Sequence, residues 1–143
     1  MSEKPVSGDP VKDVFVFGSD LAGRHAEGDA LIALRDHGAV YGRAVGLQGR
    51  SYAIPVRDEN GKPLPVPVIA RYVKAFLRFA EIHREMTFHV TRLGCGHGAH
   101  RNEDIAPLFA GAPPNCRLPP GWQRILERTA AAGGGAKRAR TAR

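Results

Sequence analysis

Two glycine-rich segments carry the residue types best suited to chemistry in this chain. The first, residues 18–28, reads GSDLAGRHAEG, and the second, residues 94–100, reads GCGHGAH. Closely spaced glycines let the backbone turn sharply and leave its N–H groups accessible to an anion such as a phosphate. Each segment therefore predicts an anion-binding loop, and the alternative for each is a tight connection between a strand and a helix.

Side chains of the first segment also suit acid–base chemistry. Asp20 follows an apolar run and could accept hydrogen bonds from a ribose hydroxyl or a base amine, or could simply cap the next turn. If the protein is a hydrolase, we expect Asp20 and His25 to position or activate water. These two residues are the predicted catalytic groups.

The second segment allows two further hypotheses, both centred on Cys95. A loop cysteine among glycine N–H groups at a helix N-terminus would have a lowered pKa and could act as a nucleophile, with His25, His97 or His100 as base. The spacing Cys95-x-His97-x-x-His100 also resembles part of a metal site. Neither familiar zinc spacing is present, so we expect no metal and no cofactor, and a packed cysteine is the simpler interpretation.

Strands and helices alternate along the chain and must position these segments. Residues 14–17, VFVF, are typical of a strand buried on both faces and lead into the first segment, while residues 86–93 alternate as a strand does and lead into the second. The other predicted helices lie over 26–37 and 68–84, after Asn102 as an N-cap, and around Trp122, where Gly133 to Gly135 would end the last one. The other predicted strands are 51–54, stopped by Pro55, and 115–118, and a surface loop is predicted over 57–67. This order favours a mainly parallel sheet covered on both faces, with ligands bound beyond the carboxyl ends of its strands.

At these residues the chain resembles the macro domain, a fold that binds ADP-ribose and related nucleotides. The segments 14–25, 46–55 and 91–96 carry the resemblance, which extends over about residues 14–118 and is to small macro-like proteins of bacteria and phages. It implies a three-layer α/β/α domain with a mixed, mainly parallel central sheet. It also implies a ligand crevice made from the two glycine-rich segments.

The resemblance assigns roles to matching positions only. Asp20 stands where many macro domains have an asparagine that contacts the distal ribose, so here a negative charge lies near an anionic ligand. Gly28 would allow close approach near that ribose, and the stretch from Gly94 to Gly98 would wrap the diphosphate. The expected ligand-binding residues are Gly18, Ser19, Leu21, Arg24, Gly28, Gln48, Arg50, Gly94, Cys95, Gly96, His97 and Gly98.

Composition and charge set the class of protein. The chain has 143 residues, of which 43% are hydrophobic and 24% charged, the balance of one globular domain. There is no apolar run of the roughly 20 residues that span a bilayer and no secretory signal, and two cysteines make no disulfide framework, so we expect a cytoplasmic protein without membrane contact. We predict a flexible lead-in over 1–12, a macro-like domain over 13–128 and a disordered basic tail over 129–143.

The net charge of +7 is concentrated in the predicted tail. Residues 130–143 contain four bases and no acid, which leaves 17 bases against 14 acids, or +3, for the rest of the chain. A weak nucleic-acid contact is therefore expected only through the tail.

Together with the resemblance, the two loops predict a protein that binds ADP-ribose or a related diphosphate nucleotide. If the protein is an enzyme, we expect it to hydrolyse such a nucleotide. The alternatives are a non-catalytic nucleotide sensor or sequestering module, and a nucleic-acid-binding protein.

Overall fold

The computed structural model describes residues 11–138 of the chain. Its elements, in chain order, are β1 (Asp13–Asp20), α1 (Gly28–Asp36), β2 (Gly46–Gln48), β3 (Ser51–Arg57), α2 (Val66–Ile82), β4 (Thr87–Val90), α3 (Asn102–Ile105), β5 (Cys116–Arg117) and α4 (Pro120–Arg138). Two short 3-10 turns flank α3, at Gly96–Gly98 and Ala106–Phe109. None of the helices in this part of the chain combines the length and the apolar character that a membrane span needs.

The five strands form one mixed sheet in the order β2-β3-β1-β4-β5. β1 runs parallel to both β3 and β4, and β4 runs parallel to β5, while the short edge strand β2 is antiparallel to β3. The predicted α/β class with a mixed, mainly parallel sheet is confirmed. Because β1, β3 and β4 point the same way, the loops that follow them leave from one edge of the sheet.

The central strand β1 supplies side chains to two apolar clusters. Val14 and Val16 belong to the larger cluster, which includes the buried stripe Ile69, Val73, Phe76 and Ala80 of α2. Phe17 belongs to a smaller cluster with Ala33 of α1 and Ala53 of β3. Successive side chains of a strand point to opposite faces of the sheet. Because both faces of β1 are buried, residues 14–17 are all apolar and do not alternate with polar residues.

Pro55 does not end β3, although the sequence predicts that it does. The strand continues to Arg57, with Pro55 opposite Ser19 of β1. The β1–β3 pairing shifts register between Ser19 and Asp20, and β2 pairs only as far as Ala53. A proline, which has no N–H, is tolerated in a strand where the ladder is irregular.

The glycines at 133–135 do not end the terminal helix either, because α4 continues to Arg138. Glycine is less favourable than alanine in a helix by about 1 kcal/mol, but its backbone can adopt the helical conformation. The predicted lead-in lies almost entirely outside the described residues, as does the end of the chain from 139 to 143. The nucleic-acid contact of the tail stays a prediction.

Candidate functional site

Three loops meet at the carboxyl edge of the parallel strands. They are the first loop (residues 21–27, after β1), the β3 loop (58–65) and the second loop (94–100, after β4). Arg57, the last residue of β3, donates from Nη2 to the Gly96 carbonyl at 2.8 Å. His97 Nε2 lies 3.9 Å from Glu27 Oε1, so the side chains of the two glycine-rich loops meet. Their adjacency, which the sequence predicts, is confirmed.

The second loop offers backbone N–H groups rather than side chains. The Gly94 carbonyl accepts from the His100 N–H, and the Gly96 carbonyl accepts from the Ala99 N–H, both at 3.1 Å. His97 is left-handed, with φ 53° and ψ 35°, and follows the helical Gly96. A helical residue followed by a left-handed one turns successive N–H groups towards one point, which forms an anion-binding concavity. Within the described residues the N–H groups of Cys95, Gly96 and His97 have no hydrogen-bond acceptor.

The first turn of α1 lies at the same place. Glu27 precedes the helix, and its side chain makes no capping hydrogen bond. A Cβ added to Gly28 or Gly96 would meet no heavy atom within 4 Å, so there is open space beside both glycines. Helix N-termini present unpaired N–H groups and favour negative charge. The carboxylates of Glu27 and Asp29 also stand at this helix start, so an anionic group between α1 and the second loop would depend on the N–H groups of the second loop.

Other glycines of the predicted site are packed against protein. A Cβ on Gly18 would lie 2.8 Å from Val56 Cγ2, and one on Gly94 would lie 3.2 Å from Ile105 Cδ1. Leu21 packs against the larger core cluster, and its N–H donates to the Arg57 carbonyl at 3.0 Å. Gly18, Leu21 and Gly94 therefore pack against the protein interior and help to position the two loops.

Ser19 and Gln48 hold residues 40–45 against the first loop. The Ser19 hydroxyl donates to the Ala44 carbonyl at 2.6 Å. The buried Gln48 side chain accepts from the Val40 N–H and donates to the Arg43 carbonyl, both at 2.8 Å. Both side chains, predicted to bind ligand, are occupied by these structural contacts.

Arg50 lies at the opposite end of the sheet. Its carbonyl accepts the Phe15 N–H near the start of β1, and its N–H donates to the His37 carbonyl beyond the end of α1. The structure therefore does not bring Arg50 to the two loops. Arg50 precedes the first residue of β3, and a strand of seven residues spans roughly 20 Å, so Arg50 is far from the loops at the carboxyl end.

The two predicted catalytic residues differ in their exposure to solvent and in their contacts. The Asp20 side chain is 18% exposed, and its carboxylate accepts from the Arg24 N–H at 3.3 Å and lies 3.4 Å from the Arg24 guanidinium. His25 is 1% exposed and meets the ring of Phe17 edge to face at 5.1 Å. Among the described residues neither ring nitrogen of His25 has a hydrogen-bond partner. The imidazole is buried against an apolar cluster and makes no hydrogen bond to Asp20.

Cys95 is buried, as the simpler interpretation predicts, and it lacks the lowered pKa that the nucleophile hypothesis requires. Burial raises the pKa of the thiol, and its Sγ lies 3.6 Å from Asn102 Oδ1. His100 donates from Nε2 to the Leu64 carbonyl at 2.8 Å, whereas the His97 side chain is exposed. The residues 11–138 contain no group of three or more His, Cys, Asp or Glu arranged to hold a metal ion.

Sequence reasoning missed three residues around the loops. Asn102, expected only as a helix cap, accepts from Arg92 Nε and Trp122 Nε1 at 2.8 Å and so ties the second loop to α4. Arg57, expected to begin a surface loop, reaches the second loop. Tyr41, which is 71% exposed, lies on a turn whose Gly42 N–H donates to the Gly23 carbonyl at 2.7 Å. The sequence predicts a strand over 51–54 only, so the position of Arg57 at the end of β3 could not be predicted from it.

The β3 loop is ordered by a carboxylate. Asp58 Oδ1 accepts from the N–H groups of Asn60 and Lys62, and the hydrogen bond from Lys62 is the main cause of the lowered pKa of Asp58. The loop in turn provides carbonyl acceptors to two arginines, Glu59 O to Arg24 and Gly61 O to Arg57. The β3 loop therefore holds the Arg24 guanidinium beside the first loop and the Arg57 guanidinium beside the second.

Comparisons with known proteins find no matching family, no matching curated protein and no matching solved structure. The resemblance to macro domains therefore stays a prediction from the sequence.

Proposed function

We propose that this chain is a three-layer, macro-like domain that binds ADP-ribose or a related nucleotide through its diphosphate. The observation that carries the proposal is the meeting of the two loops, with Glu27 Oε1 3.9 Å from His97 Nε2, beside N–H groups that lack acceptors in the described residues. A diphosphate between the first turn of α1 and the second loop would accept hydrogen bonds from these N–H groups. Backbone N–H groups at helix starts and in nests commonly bind phosphate.

The other contacts fit the remaining parts of a nucleotide. Gly28 and Gly96 leave space for a ligand to approach the backbone on both sides. Arg24 neutralises the Asp20 carboxylate, which lowers the repulsion that this acid would exert on an anion. Tyr41 presents an exposed ring beside the first loop, where an aromatic side chain can stack on a base.

Binding without hydrolysis is the function that these contacts favour. Hydrolysis would need Asp20 or His25 to act on water, but Asp20 is engaged by Arg24 and His25 is buried with Phe17. The alternative of a nucleotide sensor or sequestering module is therefore the version of the proposal that we adopt. Incubation with ADP-ribosylated protein and with ADP-ribose 1″-phosphate should give no turnover, and turnover that Asp20→Ala abolishes would overturn this choice.

Calorimetric titration of the full chain with ADP-ribose tests the proposed site. Gly96→Ala adds a methyl group that meets no protein atom within 4 Å but stands where the ligand would lie. We expect it to weaken binding about tenfold or more, as the loss of one good contact of about 1.4 kcal/mol does. Gly121→Ala, on α4, is the matched control, because its Cβ would also be unobstructed, with the nearest atom, Arg124 Nη2, 4.0 Å away.

The outcomes separate clearly. Wild type and Gly121→Ala should bind equally, and a saturating ligand at 100 times its Kd should raise the free energy of unfolding by about 2.7 kcal/mol. Wild-type protein that shows neither heat of binding nor thermal stabilisation would rule the proposal out. Equal affinity of Gly96→Ala and wild type would move the ligand to another surface.

A further inference from the structure

Arg57 connects all three loops of the candidate site. Its Nη1 donates to the Gly61 carbonyl at 2.9 Å and its Nη2 donates to the Gly96 carbonyl at 2.8 Å. Its own carbonyl accepts the Leu21 N–H. Both acceptors of the guanidinium are neutral carbonyls, so these bonds hold the side chain in place without neutralising its charge.

Two donors fix the Gly96 carbonyl and with it the direction of the next amide: Arg57 Nη2 at 2.8 Å and the Ala99 N–H at 3.1 Å. The Gly96–His97 peptide is trans, so its N–H points opposite to its C=O. Because the carbonyl points at Arg57, the His97 N–H points away from it, on the concave side of the turn formed by Gly96 and His97. A cation on the carbonyl also polarises the peptide and makes its N–H a stronger donor.

We propose that Arg57 is the positioning residue of the anion site: it aims the His97 N–H at a phosphate group of the ligand and provides the positive charge behind it. The inference rests on the proposed function and names the residue that orients the second loop towards the diphosphate. A loop held by an arginine through its carbonyls selects an anionic group over a neutral sugar, since the charge favours only the former.

The test compares two ligands and two substitutions of Arg57 in the full chain. Calorimetry with ADP-ribose and with inorganic pyrophosphate should show that Arg57→Gln weakens both ligands about tenfold or more, the scale of one hydrogen bond to a charged group. Arg57→Lys should fall between, because lysine keeps the charge but lacks the planar fork that reaches two carbonyls. Arg117→Gln, an exposed arginine on β5 at the far edge of the sheet, is the control and should match wild type.

The salt dependence of affinity separates charge from mere support of the loop. Wild-type affinity for pyrophosphate should fall as salt is added, and the fall should be shallower for Arg57→Gln, because exposed electrostatic attraction is screened. In the free protein, the His97 amide proton should shift in the NMR spectrum of Arg57→Gln and not in that of Arg117→Gln. An unchanged salt dependence, or equal loss in the Lys and Gln variants, would reduce Arg57 to a structural residue and overturn the inference.

Failure of this inference is distinct from failure of the proposed function. If wild type binds ADP-ribose and Arg57→Gln binds it equally well, the inference is wrong and the proposed function stands. If wild type binds neither ligand, both are wrong. If Arg57→Gln does not fold, Arg57→Lys decides: wild-type affinity for pyrophosphate at low and high salt would overturn the inference.

Discussion

The two glycine-rich loops have similar sequences of small residues but use them differently. In the first loop Gly23 is packed so closely on the turn at Gly42 that an added Cβ would lie 2.6 Å from the Gly42 carbonyl carbon. In the second loop Gly96 has open space, and its carbonyl accepts from both Arg57 and the Ala99 N–H. Glycine therefore permits close backbone packing in one loop and leaves open space in the other, and the residue type alone does not distinguish the two cases.

The largest effect expected from this difference is on stability, at Gly23. Gly23→Ala should lower the free energy of unfolding by about 2–4 kcal/mol, because a left-handed residue (φ 69°) would gain a Cβ and that Cβ would overlap backbone. Gly42→Ala is the control: it has φ 91° but open space, so it should show the strain without the overlap. Urea denaturation of both variants measures the difference, and equal losses would contradict close packing of the first loop.

The next effect concerns the buried amide that holds the turn against the first loop. Gln48→Ala leaves the Val40 N–H and the Arg43 carbonyl without their partner, so we expect a loss of about 1–3 kcal/mol in the free energy of unfolding. Gln123→Ala removes only an exposed bond to the Leu118 carbonyl and should cost less. ADP-ribose affinity of folded Gln48→Ala should stay near that of wild type. A selective loss of affinity would return Gln48 to the ligand site.

The smallest effect is on the thiols, which should be slow to react. Burial raises the pKa of Cys116 to about 11 and raises that of Cys95 in the second loop as well. Since the thiolate is the nucleophile, alkylation of the native chain near pH 8 should be much slower than after unfolding in guanidinium. Mass spectrometry of iodoacetamide-treated protein measures this, and rapid native modification of Cys95 would restore it as a candidate nucleophile.

The raised pKa values of the two thiols also make the free energy of unfolding depend on pH. The unfolded thiol ionises near its ordinary pKa of about 8.5, whereas folded Cys116 keeps its proton to higher pH. Stability from this group is present below the unfolded pKa and is lost as pH rises through the folded one. Cys116→Ala should therefore lose less stability than wild type as pH rises over that interval.

The residues of β1 and α2 were predictable because their periodicity is local. Four apolar residues in a row and a stripe at spacings of three and four specify a buried strand and an amphipathic helix whatever surrounds them. Local rules predict wrongly that Pro55 and Gly133 to Gly135 end their elements, because those rules assume a regular ladder or an average helix. At Pro55 the irregular register beside Ser19 removes the conflict.

For the candidate site, the sequence alone determined that two glycine-rich loops follow strands of a mainly parallel α/β sheet, since that depends on chain order and residue type. Tertiary structure alone decided that Arg57 contacts the second loop, that Gln48 is buried and that Arg50 lies at the other end of β3. The physical reason is that these contacts join residues far apart in the chain or depend on which end of a strand a residue occupies. Neither property is encoded in the spacing of neighbouring residues.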